Sequence, residues 1–196
     1  MRAGADRPVF LDRDGVLIAD VGPLTSAADI RVLPGVAEAL GMLQDAGFAL
    51  VVVSNQTVVA RGLLDEDEVR TLHREVERAL AEAGAPALDG FYFCPHHPEA
   101  DRVDLRGACE CRKPAPGLIA QACAEHGFDA RRGVMVGDRP SDVVAGARAG
   151  CRTVWVETGR HHDAPIVVPG GFEAATPDHR CADLLAAARW IVQVQA

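Results

Sequence analysis

A short apolar run that ends on two aspartates is the feature that most constrains the fold of this 196-residue chain. Residues 9–11 have the pattern of a buried strand, and Asp12 and Asp14 follow directly. Because these aspartates are two residues apart, extended backbone would project both carboxylates to one side, and Gly15 allows a sharp bend after them. Paired carboxylates at a strand tip are costly unless they hold a metal or do chemistry. The alternative is a solvated turn, for which Asp-Arg-Asp-Gly is good composition.

Strand and helix patterns alternate along the rest of the chain. Continuous apolar runs predict strands at 9–11, 48–53, 91–93, 134–136 and 153–156. Between and after them, helices are predicted at about 34–46, 65–84, 116–126, 141–149 and 184–192. This alternation indicates an α/β fold, a Rossmann-like three-layer sandwich around a central parallel sheet. We expect a single domain over residues 1–196, with a surface loop at 159–177.

Two helix starts carry specific signals. Asp65 with Glu68 three residues later predicts a capping box. Ser141 is expected to cap the helix that ends near residue 149.

Composition excludes several classes of protein. A formal net charge of −8 disfavours nucleic-acid binding, which usually needs a basic face. No apolar run approaches the roughly 20 residues of a membrane span, and the polar start of the chain lacks a signal-peptide core. We expect a cytoplasmic protein. The charge is compatible with a small-molecule substrate, and a single domain of this size can work as a monomer.

Half of the six cysteines fall close together in sequence. Cys94 and His96 form a Cys-x-His pair, and Cys109 and Cys111 form a Cys-x-Cys pair, which together supply four ligands for tetrahedral Zn²⁺. His97 is an alternative ligand, but Cys94 and His96 would face one side of extended backbone. With no open ligand position, the zinc would be structural; the competing interpretation is free thiols in a loop. Small buried apolar side chains are expected at Cys123, Cys151 and Cys181.

Chemically able residues follow four of the predicted strands, at the edge where α/β sheets bind ligands. In this order they resemble the motifs of the haloacid dehalogenase superfamily of phosphotransferases. The motifs are Asp12-Arg13-Asp14-Gly15, Ser54-Asn55-Gln56, Cys111-Arg112-Lys113-Pro114 and Gly137-Asp138-Arg139-Pro140-Ser141-Asp142.

The resemblance implies a role for each motif. Asp12 would attack phosphorus and form an aspartyl-phosphate, and Asp14 would be the general acid and base. Ser54 would hold the phosphoryl group, and Lys113 would offset its charge. Mg²⁺ would bind the Asp12 carboxylate, the Asp14 main-chain carbonyl and Asp138. Since Asp14 supplies a second carboxylate, a phosphatase or phosphomutase is implied.

Asp142 has two interpretations. It would support the metal ligands from behind, or it would simply occupy the first turn of its helix, where acidic residues are favoured.

The cysteine segment narrows the resemblance. Cys-Pro-His-His-Pro followed by Cys-x-Cys-Arg-Lys-Pro is similar to the D-glycero-D-manno-heptose-1,7-bisphosphate 7-phosphatases and the related histidinol-phosphatases. Removal of the heptose 7-phosphate in nucleotide-activated heptose synthesis is implied first. The alternatives are histidinol-phosphatase, another small sugar-phosphate phosphatase, a polynucleotide 3′-phosphatase and an inactive zinc-binding scaffold. The chain departs from the group at Val58-Val59, where Gly-Ile is usual and β-branching restricts the backbone.

Segment lengths bear on substrate recognition. The gaps between residues 14 and 54 and between 93 and 113 are too short for a cap domain, so the site should be open. Residues 16–33, residues 58–62 and the zinc loop, about 94–111, would then choose the substrate. We expect Asn55, Arg61 and Arg112 to contact it, the arginines through a second phosphate or sugar hydroxyls. For Arg61 the competing interpretation is a solvated loop arginine.

Overall fold

A six-stranded, fully parallel sheet forms the centre of the computed structural model, which describes residues 6–160 and 176–195. The sheet order is β3-β2-β1-β4-β5-β6. The strands are β1 Arg7–Leu11, β2 Phe48–Asn55, β3 Gly90–Cys94, β4 Val134–Gly137, β5 Arg152–Val156 and β6 His179–Cys181. The predicted parallel α/β sheet is confirmed, and β1, which carries Asp12 at its end, is central.

Helices cover both faces of this sheet. They are α1 Val36–Asp45, α2 Thr57–Ala60, α3 Glu66–Glu82, α4 Gly117–His126, α5 Pro140–Ala149 and α6 Leu184–Gln195. Val9 and Leu11 pack with residues of α1, α3 and α6, whereas Phe10 packs with residues of α4 and α5. Because successive strand residues point to opposite faces, both faces of β1 are buried. This explains the continuous apolar run and confirms the three-layer arrangement.

One strand and one α-helix were not predicted. Strand β6 is short and polar, and α2 contains Val58 and Val59, whose β-branched side chains have reduced helix propensity. Both valines are buried beside Val69 and Leu105. With Val58 where glycine is usual, one more apolar side chain joins Val59 in a small core next to the site.

Helix starts were predicted with mixed success. The capping box is present: the Asp65 carboxylate accepts from the Glu68 N–H at 2.8 Å, and Glu68 accepts from the Asp65 N–H at 2.7 Å. The predicted Ser141 cap is wrong, because α5 begins one residue earlier and Arg139 is its N-cap. There the Asp142 carboxylate accepts from the Arg139 N–H at 3.0 Å.

The connections that surround the site are short. Residues 16–33 fold back as a flap, in which the Ala19 N–H donates to the Arg31 carbonyl and the Leu33 N–H to the Leu17 carbonyl. The zinc loop holds a single 3₁₀ turn, Val103–Leu105. Neither connection contains a domain, so the capless prediction is confirmed. The predicted loop at 159–177 lies mostly outside the described residues.

None of the described helices has the length and apolar character needed to cross a membrane.

A glycine of α5 fixes how closely that helix packs on the sheet. A Cβ at Gly146 would lie 2.5 Å from Met135 Cβ and 2.9 Å from Thr153 Cγ2. We expect Gly146→Ala to lower the free energy of unfolding by about 1–3 kcal/mol, as overpacked cores do. The matched control is Gly41→Ala in α1, where a Cβ would meet nothing within 4 Å and should stabilise by about 0.5–1 kcal/mol. Urea unfolding measures both; equal effects would contradict this packing argument.

Candidate active site

Strand ends and loops enclose a cavity of about 320 Å³ at the carboxyl edge of the sheet. Parallel strands place these ends together, as the sequence predicted. Asp138, at the end of β4, is fully buried beside Asp12. The other predicted catalytic and substrate-contact residues line the cavity: Asp12, Asp14, Ser54, Asn55, Arg61, Arg112 and Lys113.

Lys113 is a buried ammonium held by carboxylates. Its Nζ lies 3.1 Å from Asp12 Oδ1 and 2.6 Å from Asp142 Oδ1, and it donates to the Val53 carbonyl at 2.8 Å. Burial alone would lower the pKa of Lys113, but the Asp12 and Asp142 carboxylates outweigh burial and raise that pKa. The side chain is therefore a fixed positive charge against the proposed nucleophile.

Three carboxylates converge beside this lysine. Oxygens of Asp12, Asp138 and Asp142 lie within 4.8 Å of one another. Burial, reinforced by the Asp142 and Asp12 carboxylates, raises the pKa of Asp138 to about 7. Asp138 Oδ2 accepts from the Arg160 N–H at 2.6 Å, whereas the buried Oδ1 has no hydrogen-bond partner among the described residues. Hard oxygen ligands in a buried anionic cluster fit Mg²⁺.

Asp142 fits the helix-start interpretation and also has a partner that was not predicted. It lies in the first turn of α5, where its Oδ2 accepts from the Arg139 N–H. Its Oδ1 pairs with Lys113. It is thus a buried support for the lysine as well as a helix-start residue.

Asp14 belongs to a network that sequence reasoning did not identify. Arg13 is buried and donates to both Asp14 oxygens. Gln56 Oε1 accepts from Arg13 Nη2 at 3.0 Å, while Gln56 Nε2 donates to Asp14 Oδ2 at 3.2 Å and to Ser54 Oγ at 2.9 Å. Because guanidinium groups only donate, Arg13 fixes which way the Gln56 amide points. Ser54 Oγ accepts from that amide, so its own proton is available to a phosphoryl oxygen.

Burial raises the pKa of Asp14 above its ordinary value; the Arg13 guanidinium opposes this rise and the Asp12 carboxylate adds to it. A raised pKa suits a group that must carry a proton to a leaving group. The signal for Gln56 was its spacing: it stands two residues after Ser54, on the same side of extended backbone.

Asn55 is engaged with the main chain of Lys113. Its Nδ2 donates to the Lys113 carbonyl at 3.0 Å, and its Oδ1 accepts from the Lys113 N–H at 3.0 Å. The amide thus clamps the lysine segment, although Asn55 also lines the cavity. Its predicted contact with substrate stays a prediction.

The predicted zinc ligands come together next to this segment. Cys94 Sγ lies 2.9 Å from Cys111 Sγ and 3.6 Å from Cys109 Sγ, and His96 Nδ1 lies 3.4 Å from Cys111 Sγ. These separations exceed the roughly 2.05 Å of a disulfide bond. Three sulfurs and one imidazole nitrogen are a set that fits tetrahedral Zn²⁺. His97 lies outside this cluster, lines the cavity and accepts from the Glu99 N–H.

The remaining cysteines are apart from the cluster. Cys151 is buried, Cys123 and Cys181 are half-buried, and all three contact apolar core residues. The expectation of buried small apolar side chains is confirmed for Cys151, whereas Cys123 and Cys181 are only partly buried against the core.

Arginines dominate the outer wall of the cavity. Arg61, Arg112, Arg139 and Arg160 all line it. Arg112 is held in place because its Nη1 donates to the His96 carbonyl at 2.8 Å. Asp20, also in the lining, accepts from Arg139 and Arg160 at 2.8 and 2.9 Å. The wall is therefore cationic, and the arrangement can receive a multiply charged anion.

The site belongs to a hydrolase of the haloacid dehalogenase type. That class is defined by a carboxylate pair after the first strand, a hydroxyl on the second, a buried lysine, and a further aspartate after the fourth strand. Residues 110–188 match the HAD-hydrolase-like family model.

Curated relatives narrow this class. The chain is 40% identical over 187 residues to the D-glycero-D-manno-heptose-1,7-bisphosphate 7-phosphatase of Thermosynechococcus vestitus, covering 93% of this chain and 94% of that protein. It is 38% identical to the D-glycero-beta-D-manno-heptose-1,7-bisphosphate 7-phosphatase of Yersinia pestis, covering 90% and 92%. The chain belongs to this heptose-bisphosphate phosphatase family.

A solved structure supports the same family assignment. The D,D-heptose 1,7-bisphosphate phosphatase of B. bronchiseptica, complexed with magnesium and phosphate, superimposes with a TM-score of 0.78. It is 32% identical and covers 96% of this chain and 99% of its own.

Gln56 offers a test of the network around Asp14. Gln56→Ala removes a donor to the ionised carboxylate, so we expect kcat/KM to fall about tenfold to a hundredfold, the range for a hydrogen bond to a charged group. Loss of that donor should also raise the pKa of Asp14, and the limb of the pH–rate profile that reports Asp14 should move to higher pH.

Gln121→Ala is the matched control, since Gln121 is exposed on α4, far along the chain from Asp14, and its Nε2 donates to Glu125 Oε1 at 2.9 Å. An unshifted pH profile in Gln56→Ala would argue against the network.

Proposed function

We propose that this protein removes the 7-phosphate of D-glycero-D-manno-heptose 1,7-bisphosphate, through an aspartyl-phosphate on Asp12, in nucleotide-activated heptose synthesis. The observation that carries the proposal is 40% identity, over 93% of the chain, to a relative bearing that name. The cavity adds support, because Asp12, Asp14, Ser54 and Lys113 line it together.

The charge of the cavity wall favours a bisphosphate. Besides Asp12 and Asp14, the only acidic side chain among the described lining residues is Asp20, and two arginines already bind it. A histidinol amine would need a carboxylate partner there. Arg61 and Arg112 instead offer guanidinium groups, whose planar donors suit a second phosphate.

The partners of Asp12 indicate which of its oxygens is the nucleophile. Asp12 Oδ1 already accepts from the Arg13 N–H at 2.7 Å and pairs with Lys113. This leaves Oδ2 to attack phosphorus, while Lys113 and the Ser54 hydroxyl bind phosphoryl oxygens. The P–O bond to the sugar breaks, and its electron pair leaves with the sugar oxygen.

Asp14 handles the protons of both half-reactions. It donates its proton to the departing sugar oxygen, and then, as a carboxylate, takes a proton from the water that attacks the aspartyl-phosphate. Arg13 and Gln56 hold its oxygens in place during both steps.

Two metals fit the residues present. Mg²⁺ would be held by the Asp12 and Asp138 carboxylates with the Asp14 main-chain carbonyl, and when bound it supplies positive charge that offsets the phosphoryl oxygens. Zn²⁺ would be structural, held by Cys94, His96, Cys109 and Cys111. A monomeric, cytoplasmic, single-domain enzyme over residues 1–196 stays our prediction.

Phosphate release with Mg²⁺ tests the substrate directly. Both anomers of D-glycero-D-manno-heptose 1,7-bisphosphate are compared with histidinol phosphate at equal concentration. We expect kcat/KM to favour a heptose anomer by about a hundredfold or more, roughly 2.7 kcal/mol of differential transition-state binding.

Because Asp12→Asn removes the proposed nucleophile, it should abolish turnover with the fold intact and serves as the blank. A preference for histidinol phosphate would overturn the substrate, and retained activity in Asp12→Asn would overturn the nucleophile.

Removal of a zinc ligand tests the cysteine cluster. We expect wild-type protein to contain one zinc per chain, and Cys109→Ser to lose it and to unfold at a lower temperature, because metal binding and folding of such a loop are coupled. Mass spectrometry of the purified proteins measures the metal. Cys123→Ser is the control, since Cys123 lies outside the cluster. Stoichiometric zinc in Cys109→Ser would refute the ligand assignment.

A further inference from the structure

One carboxylate joins three loops at the rim of the cavity. The Asp20 side chain is only 5% exposed, and its Oδ2 accepts from Arg139 Nη2 at 2.8 Å and from Arg160 Nε at 2.9 Å. Its Oδ1 accepts from the Gly22 N–H at 2.8 Å. Asp20 lies in the flap, Arg139 follows β4 and Arg160 follows β5, so these contacts tie together segments far apart in sequence.

The same contacts lead to the metal-binding carboxylates. The Arg160 main-chain N–H donates to Asp138 Oδ2 at 2.6 Å, and Arg139 is the next residue after Asp138. Asp20, Arg139 and Arg160 all line the cavity. Asp20 therefore connects the flap, through Arg139 and Arg160, to the two segments that adjoin or contact Asp138.

Electrostatics explain why a carboxylate is needed at this place. Two guanidinium groups this close together repel each other, and the attraction of each to the Asp20 carboxylate between them offsets that repulsion. Arg139 and Arg160 are 34% and 44% exposed, so without Asp20 each has solvent to turn toward. With Asp20, the three groups keep a net positive charge at the cavity wall while their positions are fixed.

We propose that Asp20 is a positioning residue that holds the flap and the two arginines in place, so that one cationic wall of the cavity is formed before an anionic substrate arrives. It touches no reacting atom and acts through Arg139 and Arg160. This inference depends on the proposed function in one respect: it assumes that the substrate is phosphorylated. A preformed wall lowers the ordering cost of binding.

Asp20→Asn keeps the shape of the side chain and removes its charge. We expect hydrogen exchange at the Ala19 and Leu33 amides, which bond within the flap, to quicken about tenfold as the flap opens more often. KM should rise about tenfold, with kcat within about threefold of wild type, because the wall and not the reacting groups is disturbed. Asp29→Asn is the matched control, since Asp29 is exposed on the same flap.

The exchange measurement needs no substrate, so its outcome is independent of which sugar phosphate the enzyme prefers. If heptose bisphosphate is not turned over, the kinetic comparison uses histidinol phosphate. Wild-type exchange at Ala19 and Leu33 in Asp20→Asn would overturn the proposal whatever the kinetics. If Asp20→Asn does not fold, Arg160→Ala, which removes one arm, decides the matter by the same exchange rates.

Discussion

The site depends on an ammonium buried among carboxylates. At about 3 Å and an effective dielectric constant near 20, each Lys113–carboxylate pair attracts by about 5 kcal/mol, but neighbouring carboxylates repel on the same scale. Asp12, Asp138 and Asp142, when ionised, carry three negative charges against one positive charge on Lys113. The remaining charge of −2 matches a divalent cation. Burial and this same excess of negative charge act together on the pKa values. The pKa of Asp138 is raised, and the pKa of Asp142 rises to about 6.

Lys113 lies outside the sheet, so its placement requires support from neighbouring segments. Lys113 stands on a connection, not on a strand, and the Asn55 amide binds both its N–H and its carbonyl. The cysteine cluster ends two residues earlier, at Cys111. Anchoring this segment at both points limits its movement. A buried ion pair needs such a fixed geometry, because only a well-placed pair attracts strongly enough to offset the loss of hydration. The proposed Zn²⁺ would therefore act on catalysis only through the position of the Lys113 segment.

Local signals predicted the sheet and the strand-end residues, because period and spacing encode them, and spacing also predicted that Cys94, His96, Cys109 and Cys111 lie together. They failed where partners come from distant segments. Gln56 was not recognised because its role lies in contacts with Arg13 and Asp14 from another strand end. Ser141 was the wrong cap because the Asp142 carboxylate binds the Arg139 N–H, so the helix starts earlier. Strand β6 was missed because it is short and polar, and only pairing with β5 identifies it.

The net charge of the whole chain is also a poor guide to its ligand. A protein of charge −8 would repel a bisphosphate at long range. At physiological ionic strength, however, exposed charges are largely screened beyond about 8 Å. The electrostatic field at the bound substrate is then set by the cavity wall. Four arginines that are spread over 100 residues of sequence come together there: Arg61, Arg112, Arg139 and Arg160. Only the fold brings them together, so the preference for an anion follows from topology and not from composition.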